Sequence, residues 1–164
     1  MSHIEQLNDP SRGKRLAAAK KIGAAVACGD MRTSQTDEVN NHVHTTFSFS
    51  PYHPSMAAFK AYEAGLKAVG IMDHDSVSGA EEMLAAAKSI GIASTVGFEV
   101  RVNFTGTAVE GRKINNPDSK NIVYIAIHGI PKNRIGEAAR FLKPINHARN
   151  KRKRAMTDAL NKLL

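Results

Sequence analysis

The chain has 164 residues, of which 42% are hydrophobic and 23% charged, a composition typical of a globular domain with a sizeable core. No run of about 18 apolar residues occurs and the N-terminus is polar, so neither a membrane span nor a signal peptide is predicted. The single cysteine, Cys28, allows no internal disulfide, and we expect a cytoplasmic protein without a membrane partner.

The net charge of +8 is unevenly distributed along the chain. Residues 36–131 contain seven basic and ten acidic side chains, whereas residues 132–164 contain ten basic and two acidic ones. An acidic middle region that contains histidines suits cations. The basic C-terminal region suits phosphates or is the solvated face of a helix, and net charge does not distinguish the two.

Residues 1–38 are predicted to be an N-terminal helical extension. Within them, residues 11–27 have the composition of a helix, because alanine and lysine dominate and Ser11 is a suitable N-terminal cap. A polar connector then leads to the main domain.

Residues 39–143 have an alternating pattern of strands and helices. β-Branched and aromatic residues indicate strands, and turn residues and 3.6-residue apolar spacing indicate the helices between them. The helix after the second strand is expected to begin with a capping box, Ser78 to Glu81, and to end at Gly91. The predicted order is strand 39–49, helix 54–64, strand 68–72, helix to residue 91, strand 92–103, loop 104–120 and strand 121–130. The last of these strands is so apolar that we expect it to be buried on both faces.

This alternation predicts an α/β fold with about four parallel strands joined by right-handed crossovers. Both a doubly wound sheet and a β/α barrel fit the pattern. Because a complete barrel needs about 250 residues, residues 39–143 would form only part of one. Residues 144–164 are predicted to be a long basic helix, which has no stop signal at its end and suggests a truncated insertion.

His42, Val43 and His44 form the first group of candidate site residues. Alternate residues of a strand face the same side, so the two histidines begin about 6.7 Å apart at their Cα atoms and can bind one cation. The alternative is a pair of ordinary histidines on a half-exposed strand.

Three further positions follow or interrupt predicted strands. Asp73, His74 and Asp75 come directly after a buried strand, where catalytic groups gather in parallel α/β folds, although a polar turn would have the same residues. Glu99 lies inside an apolar strand and requires a cation or an ion pair, for example with Arg101. His128 ends the most apolar strand, where a lone histidine is more often part of a core.

Together these motifs resemble the PHP (polymerase and histidinol phosphatase) superfamily. The resemblance depends on three strings, NHVHTTFSFSPYHP, GIMDHDSVSGA and GFEVRV, and extends over about residues 39–164, the N-terminal half of such a domain. It implies a distorted, TIM-like β/α barrel that binds two or three divalent ions, zinc, manganese or iron.

The resemblance also implies roles for individual residues. His42 and His44 match ligands of one metal, Glu99 matches a carboxylate that bridges two metals, and His74 matches a ligand of a third. Asp73 matches a neighbour that orients His74, and His128 matches a further metal ligand. Glu99, His74 and Asp73 are accordingly the candidate catalytic residues.

The sequence departs from the family pattern in two places. Phe49 stands where the family often has an aspartate, a position that His53 is a candidate to replace. No Asp-x-His follows His128, so the closing ligands of the family's site are missing from this chain.

Imidazoles and carboxylates together suit zinc, manganese or ferrous ion, and a metal-activated water can hydrolyse a phosphate ester. We therefore expect a phosphoesterase that acts on a small phosphorylated substrate or a nucleotide, with nucleic acid less favoured. Arg101, Arg149 and Arg152 are candidates to bind the substrate phosphate. Two alternatives stay open, an amidohydrolase-like metal hydrolase and a catalytically incomplete fragment that binds metal weakly.

Overall fold

A computed structural model of the chain describes residues 2–163. It contains a four-stranded sheet in the order β1-β2-β3-β4, with helices packed against it. In chain order the elements are α1 (His3–Gln6), α2 (Arg12–Ala27), β1 (Val39–Val43), α3 (Pro54–Glu63), β2 (Ala68–His74), α4 (Ala80–Ile90), β3 (Ala93–Asn103), β4 (Ile122–Ile127), a 3-10 turn (Lys132–Arg134) and α5 (Ile135–Asn161). None of the helices within residues 2–163 is both long enough and apolar enough to cross a membrane.

The first three strands are parallel, and α3 and α4 are the crossovers between them. Val39 pairs with Ala68 at the start of the sheet, and His74 pairs with Glu99 at its C-terminal edge. The α/β class and the partial-barrel arrangement of strand, helix and strand are therefore confirmed. The parallel register also places the ends of β1, β2 and β3 at one edge, where the predicted site residues lie.

The prediction of about four parallel strands is wrong for β4, which runs antiparallel to β3. A parallel return needs a crossover that is usually a helix, whereas residues 104–121 form only turns, tied at their base by the bond from Phe104 N–H to the carbonyl of Asn121. The chain therefore folds back beside β3. The expectation that this strand is buried on both faces is also wrong, because β4 is an edge strand and only Val123 is fully buried.

The predicted N-terminal extension packs into the core of the domain. Ala18, Ala19 and Ile22 of α2 are buried. Gly23 approaches α4 so closely that an added Cβ would lie 1.8 Å from the carbonyl oxygen of Ser89. Helix α2 is therefore a structural layer of the same unit as the sheet.

Two helix boundaries differ from their predictions. Helix α4 begins after Gly79, which makes no side-chain cap, so Ser78 and Glu81 do not form the expected capping box. Helix α5 begins at Ile135 and contains Pro144, the residue at which the basic helix was expected to begin. A proline lacks an N–H but can continue a helix that tertiary contacts support, and Ile135 and Leu142 anchor this one. Met1 and Leu164, the outer limits of the predicted extension and insertion, lie outside the described residues.

Candidate metal centre and adjoining basic cavity

The C-terminal edge of the three parallel strands brings together imidazoles and a carboxylate that are far apart in sequence. His42 lies on β1 and His44 directly after it, beside a break in the β1–β2 register between Asn40 and Val43. Glu99 lies on β3, next to the last residue of β2, His74. The parallel crossovers therefore assemble this cluster.

His42, His44 and Glu99 form a group that can hold a metal ion. One ligand atom from each lies within 4.8 Å of the other two. The Nε2 atom of His42 is 3.0 Å from Oε2 of Glu99, and the Nε2 atom of His44 is 3.9 Å from the same oxygen. Two nitrogens and one carboxylate oxygen in such a group are the donor types that zinc, manganese and ferrous ion accept.

The surroundings of His44 favour the neutral imidazole that metals bind. Partial burial lowers the pKa of His44, and the nearby rings of His74 and His42 lower it further. The Nδ1 atom of His44 is 3.4 Å from the hydroxyl of Ser48, which also accepts a bond from the backbone N–H of His74. Ser48 thus links the two histidines. Because the pKa of His44 is lowered, metal binding at this ring competes less with protonation.

His74 lies beside the three-residue group. Its Nδ1 atom is 3.8 Å from Oε2 of Glu99, and its ring stacks on that of His44 with the centroids 4.9 Å apart. The ring of Phe49 lies against both, 4.4 Å from His44 and 5.3 Å from His74, and is 69% exposed. The phenylalanine that departs from the family pattern therefore separates these two histidines from solvent.

Two other histidines lie outside the group. The exposed ring of His128 is 6.5 Å from that of His42, between centroids. The ring of His53 bonds Thr46, with Nδ1 2.9 Å from the hydroxyl oxygen. His53 is therefore held by Thr46 at the start of α3, and its role in place of the family's aspartate stays a prediction.

The prediction that Asp73 orients His74 is wrong. Neighbouring residues of a strand point to opposite faces, so the fully buried carboxylate of Asp73 points away from the ring of His74. It accepts bonds from the backbone N–H of Thr45 at 2.6 Å and from the Thr45 hydroxyl at 2.7 Å. Burial raises the pKa of Asp73, and the bonds from Thr45 oppose that rise. Asp73 thus anchors the residue that follows His44.

A cavity of about 220 Å³ adjoins His74 and contains all three arginines that were predicted to bind phosphate. We call it the basic cavity, and it is lined by His74, Asp75, Arg101, Tyr124, Arg149, Arg152 and Lys153. The alternative that Arg101 pairs with Glu99 is not observed, since the ion pairs of Glu99 within residues 2–163 are with histidines. A larger cleft of about 860 Å³ between the β2–α4 turn and α5 contains none of the predicted site residues.

Sequence reasoning missed Tyr124 and Asp75 as residues of the cavity. Tyr124 pairs with Arg101 across β3 and β4, a neighbour that only the antiparallel register reveals. Asp75 was visible as the third residue of the Asp-His-Asp triplet, but the sequence offered no partner for it. Its partner is Arg149, 74 residues further along the chain.

Comparison with known proteins places this site in a family. Residues 40–159 match the PHP domain. A 5′-3′ exoribonuclease of Haemophilus influenzae is 31% identical over 74 residues, which are 45% of this chain and 27% of that protein. A crystal structure of a proposed metal-dependent phosphoesterase from Bifidobacterium adolescentis has a TM-score of 0.60 at 23% identity and covers 79% of this chain. The chain spans about a quarter of the first relative and 40% of the second. Because the family match includes most of the chain and all the clustered histidines, this protein belongs to the PHP-domain family.

Proposed function

We propose that the chain provides the metal-binding and phosphate-binding part of a phosphoesterase that hydrolyses a phosphate ester with water. One observation carries this proposal: the donor group of His42, His44 and Glu99 opens next to a cavity lined by arginines. A cation site and an anion site side by side fit a substrate whose phosphoryl group must be bound and attacked at the same place.

His42, His44 and Glu99 would hold the first divalent ion, and zinc, manganese and iron are the candidates. Such an ion supplies a water of lowered pKa and neutralises charge on a phosphoryl oxygen. Glu99 is the candidate bridge to a second ion, and His74, whose Nδ1 atom is 3.8 Å from Oε2 of Glu99, is the candidate ligand of a third ion. His128 stays a predicted metal ligand, and its ring centroid lies 6.5 Å from that of His42.

The remaining side chains bind and orient the substrate. Arg101, Arg149 and Arg152 supply guanidinium groups, which pair with phosphate oxygens in a bidentate manner. Phe49 excludes water from the stacked histidines, which strengthens electrostatic interactions at the site. Asp73 acts indirectly, by holding the backbone at Thr45 and hence His44.

Metal content is the first test of the proposal. We expect the purified chain, after dialysis against Mn²⁺ or Zn²⁺, to retain bound metal by elemental analysis. H42A and E99Q should weaken that binding more than about 100-fold, because losing even an outer-shell partner of a ligand costs about 10–100-fold. H3A and E110Q remove the same chemical groups at exposed positions away from the cluster and should bind metal like the wild type. Equal metal content in all five chains would refute the site.

Turnover separates the phosphoesterase from the two alternatives. Release of phosphate from a phosphomonoester by the metal-loaded chain, lost in E99Q and kept in E110Q, supports the proposal. Hydrolysis of an amide or lactone in place of the phosphomonoester would support the amidohydrolase-like alternative, which the PHP-domain match disfavours. Metal binding without any turnover would identify a catalytically incomplete part of a larger enzyme.

A second candidate substrate is the 5′ end of a short RNA. The observations in its favour are the likeness to an exoribonuclease over 74 residues and the basic side chains that α5 adds to the cavity. Shortening of a 5′-phosphorylated oligoribonucleotide, with affinity that falls steeply as salt rises, would select this substrate over a small phosphomonoester. No change in the oligonucleotide under conditions that hydrolyse the monoester would eliminate it.

A further inference from the structure

Asp75 has an unusual backbone conformation at the edge of the candidate site. Its φ angle is +54°, a left-handed conformation that aspartate and asparagine adopt more readily than other residues with a side chain. The backbone N–H of Asp75 donates to the carbonyl of Glu99 at 2.8 Å, directly after the last paired residues of β2 and β3. This bond holds Asp75 beside the candidate metal site.

The side chain of Asp75 contacts the basic helix. Its Oδ2 atom accepts a bond from Nη1 of Arg149 at 3.1 Å, and the carbonyl of His74 accepts from the same Nη1 at 2.9 Å. Both side chains of the pair are largely buried, whereas every residue of α5 after Arg149 is exposed. The pair is thus the outermost described ion pair that fixes α5 to the edge of the sheet.

Arg149 keeps donors that Asp75 does not use. A guanidinium has five N–H groups in a planar fork, and both bonds that Arg149 makes within residues 2–163 use Nη1. Among the described residues, its Nη2 and Nε donors are therefore available to a ligand in the basic cavity that Arg149 lines. Asp75 itself lies in the wall of that cavity with Arg101, Arg152 and Lys153. One anchored nitrogen and three unused N–H donors are the arrangement of an arginine that is held in place for a ligand.

We propose that Asp75 is a positioning residue, which holds Arg149 in the basic cavity so that its remaining donors bind a phosphate group. This role rests on the proposed function, and it makes the third residue of the Asp-His-Asp triplet an anchor for α5. Without the Asp75 side chain, Arg149 would keep only its bond to the carbonyl of His74 and would gain rotamer freedom, which phosphate would have to remove on binding.

The test measures binding of inorganic phosphate by calorimetry, using the chain treated with a chelator so that bound metal does not contribute. D75G keeps the left-handed backbone and removes the side chain, whereas D75N keeps the backbone and one hydrogen-bond acceptor without the charge. We expect D75G and R149A each to weaken phosphate binding by about tenfold, the scale of one charge-assisted hydrogen bond. D75N should lose less phosphate affinity than D75G. The double variant D75G/R149A should bind phosphate no more weakly than R149A alone.

Two variants on the same helix control for charge. D158N removes an exposed carboxylate and K151A an exposed cation, neither of which lines the basic cavity, and both should bind phosphate within about twofold of the wild type. Hydrogen exchange gives a second readout. The backbone amides of residues 145–153 should exchange faster in D75G and R149A than in the wild type, and at the wild-type rate in K151A.

Three results would overturn the assignment. They are tighter or unchanged phosphate binding in D75G, losses in D75G and R149A that add in the double variant, and no phosphate binding by the wild-type chain. Because none of these measurements needs turnover or metal, they are independent of the phosphoesterase assay. A chain that hydrolyses a phosphomonoester but shows unchanged binding in D75G would refute the role of Asp75 and leave the proposed function standing.

Discussion

Replacing Glu82 with leucine removes the acceptor of a buried ion pair that joins the N-terminal helix to the sheet domain. Arg15 on α2 is 4% exposed and Glu82 on α4 is 2% exposed. Two guanidinium nitrogens of Arg15 donate to the carboxylate, Nε at 2.7 Å and Nη2 at 2.5 Å. The backbone N–H and the hydroxyl of Ser55 donate to the same carboxylate at 3.2 and 2.8 Å. E82L therefore leaves a buried cation and two buried donors without their acceptor.

The structure sets the size of the expected effect. Removing one partner of a buried ion pair costs about 3–5 kcal/mol, because the other charge stays buried and unpaired. For a chain of this length, about 1 kcal/mol lowers Tm by about 2–4 °C, so we expect E82L to melt about 10 °C below the wild type. Introducing R15M as well removes the unpaired cation, and R15M/E82L should recover about half of the loss.

Denaturant unfolding followed by far-UV circular dichroism measures these free energies. E81L changes the neighbouring glutamate, whose salt bridge with Arg12 is largely exposed, and should lower stability by less than about 1 kcal/mol. A loss of stability in E82L no greater than that in E81L would refute the role of the buried ion pair. A double variant less stable than E82L would also refute that role, since the unpaired charge of Arg15 would then not be the cause of the loss.

The same pair predicts a pH dependence. Burial by itself raises the pKa of Glu82, but the bonds from Arg15 and Ser55 outweigh burial and place that pKa below its ordinary value of 4.5. Stabilisation by the ionised carboxylate is therefore complete above about pH 5 and is lost as the pH falls through 4.5 and then through the lower pKa of the folded chain. The difference in unfolding free energy between wild type and E82L should be constant down to about pH 5 and narrow below it. A constant difference down to about pH 2 would contradict this assignment.

Two further substitutions test close packing and the support of the metal cluster. G23A places a methyl group against the carbonyl of Ser89 on α4 and should destabilise by about 1–3 kcal/mol. G13A, near the start of the same helix, adds a Cβ at an ordinary contact distance of 3.8 Å from the Ser11 hydroxyl and should stabilise by about 0.5–1 kcal/mol in the same denaturant assay. Equal changes in stability for G23A and G13A would refute the close contact between Gly23 and Ser89. D73A leaves the N–H of Thr45 unpaired and should cost about 2–3 kcal/mol and weaken metal binding. D73N keeps an acceptor for that N–H and should retain most of the stability and most of the metal affinity. Equal losses of stability and metal affinity in D73A and D73N would show that the hydrogen bond is unimportant.

The sequence alone predicted the strand and helix order from residue 39 to residue 103. This part of the fold is local in origin, because 3.6-residue and two-residue periodicities and turn residues specify each element. It also predicted that His42, His44, His74 and Glu99 would meet, since the C-terminal ends of successive parallel strands lie at one edge.

Only the tertiary structure decided the direction of β4, the start of α5 at Ile135 and the partners of Asp73 and Asp75. The direction of β4 depends on how residues 104–121 return, and no periodicity encodes that path. Asp73 bonds Thr45 and Asp75 bonds Arg149 because of face and distance in the folded chain, although both acids adjoin His74 in sequence. Composition and spacing determine which elements form and which chemical groups are available. Which of those groups touch depends on packing between residues far apart in the chain.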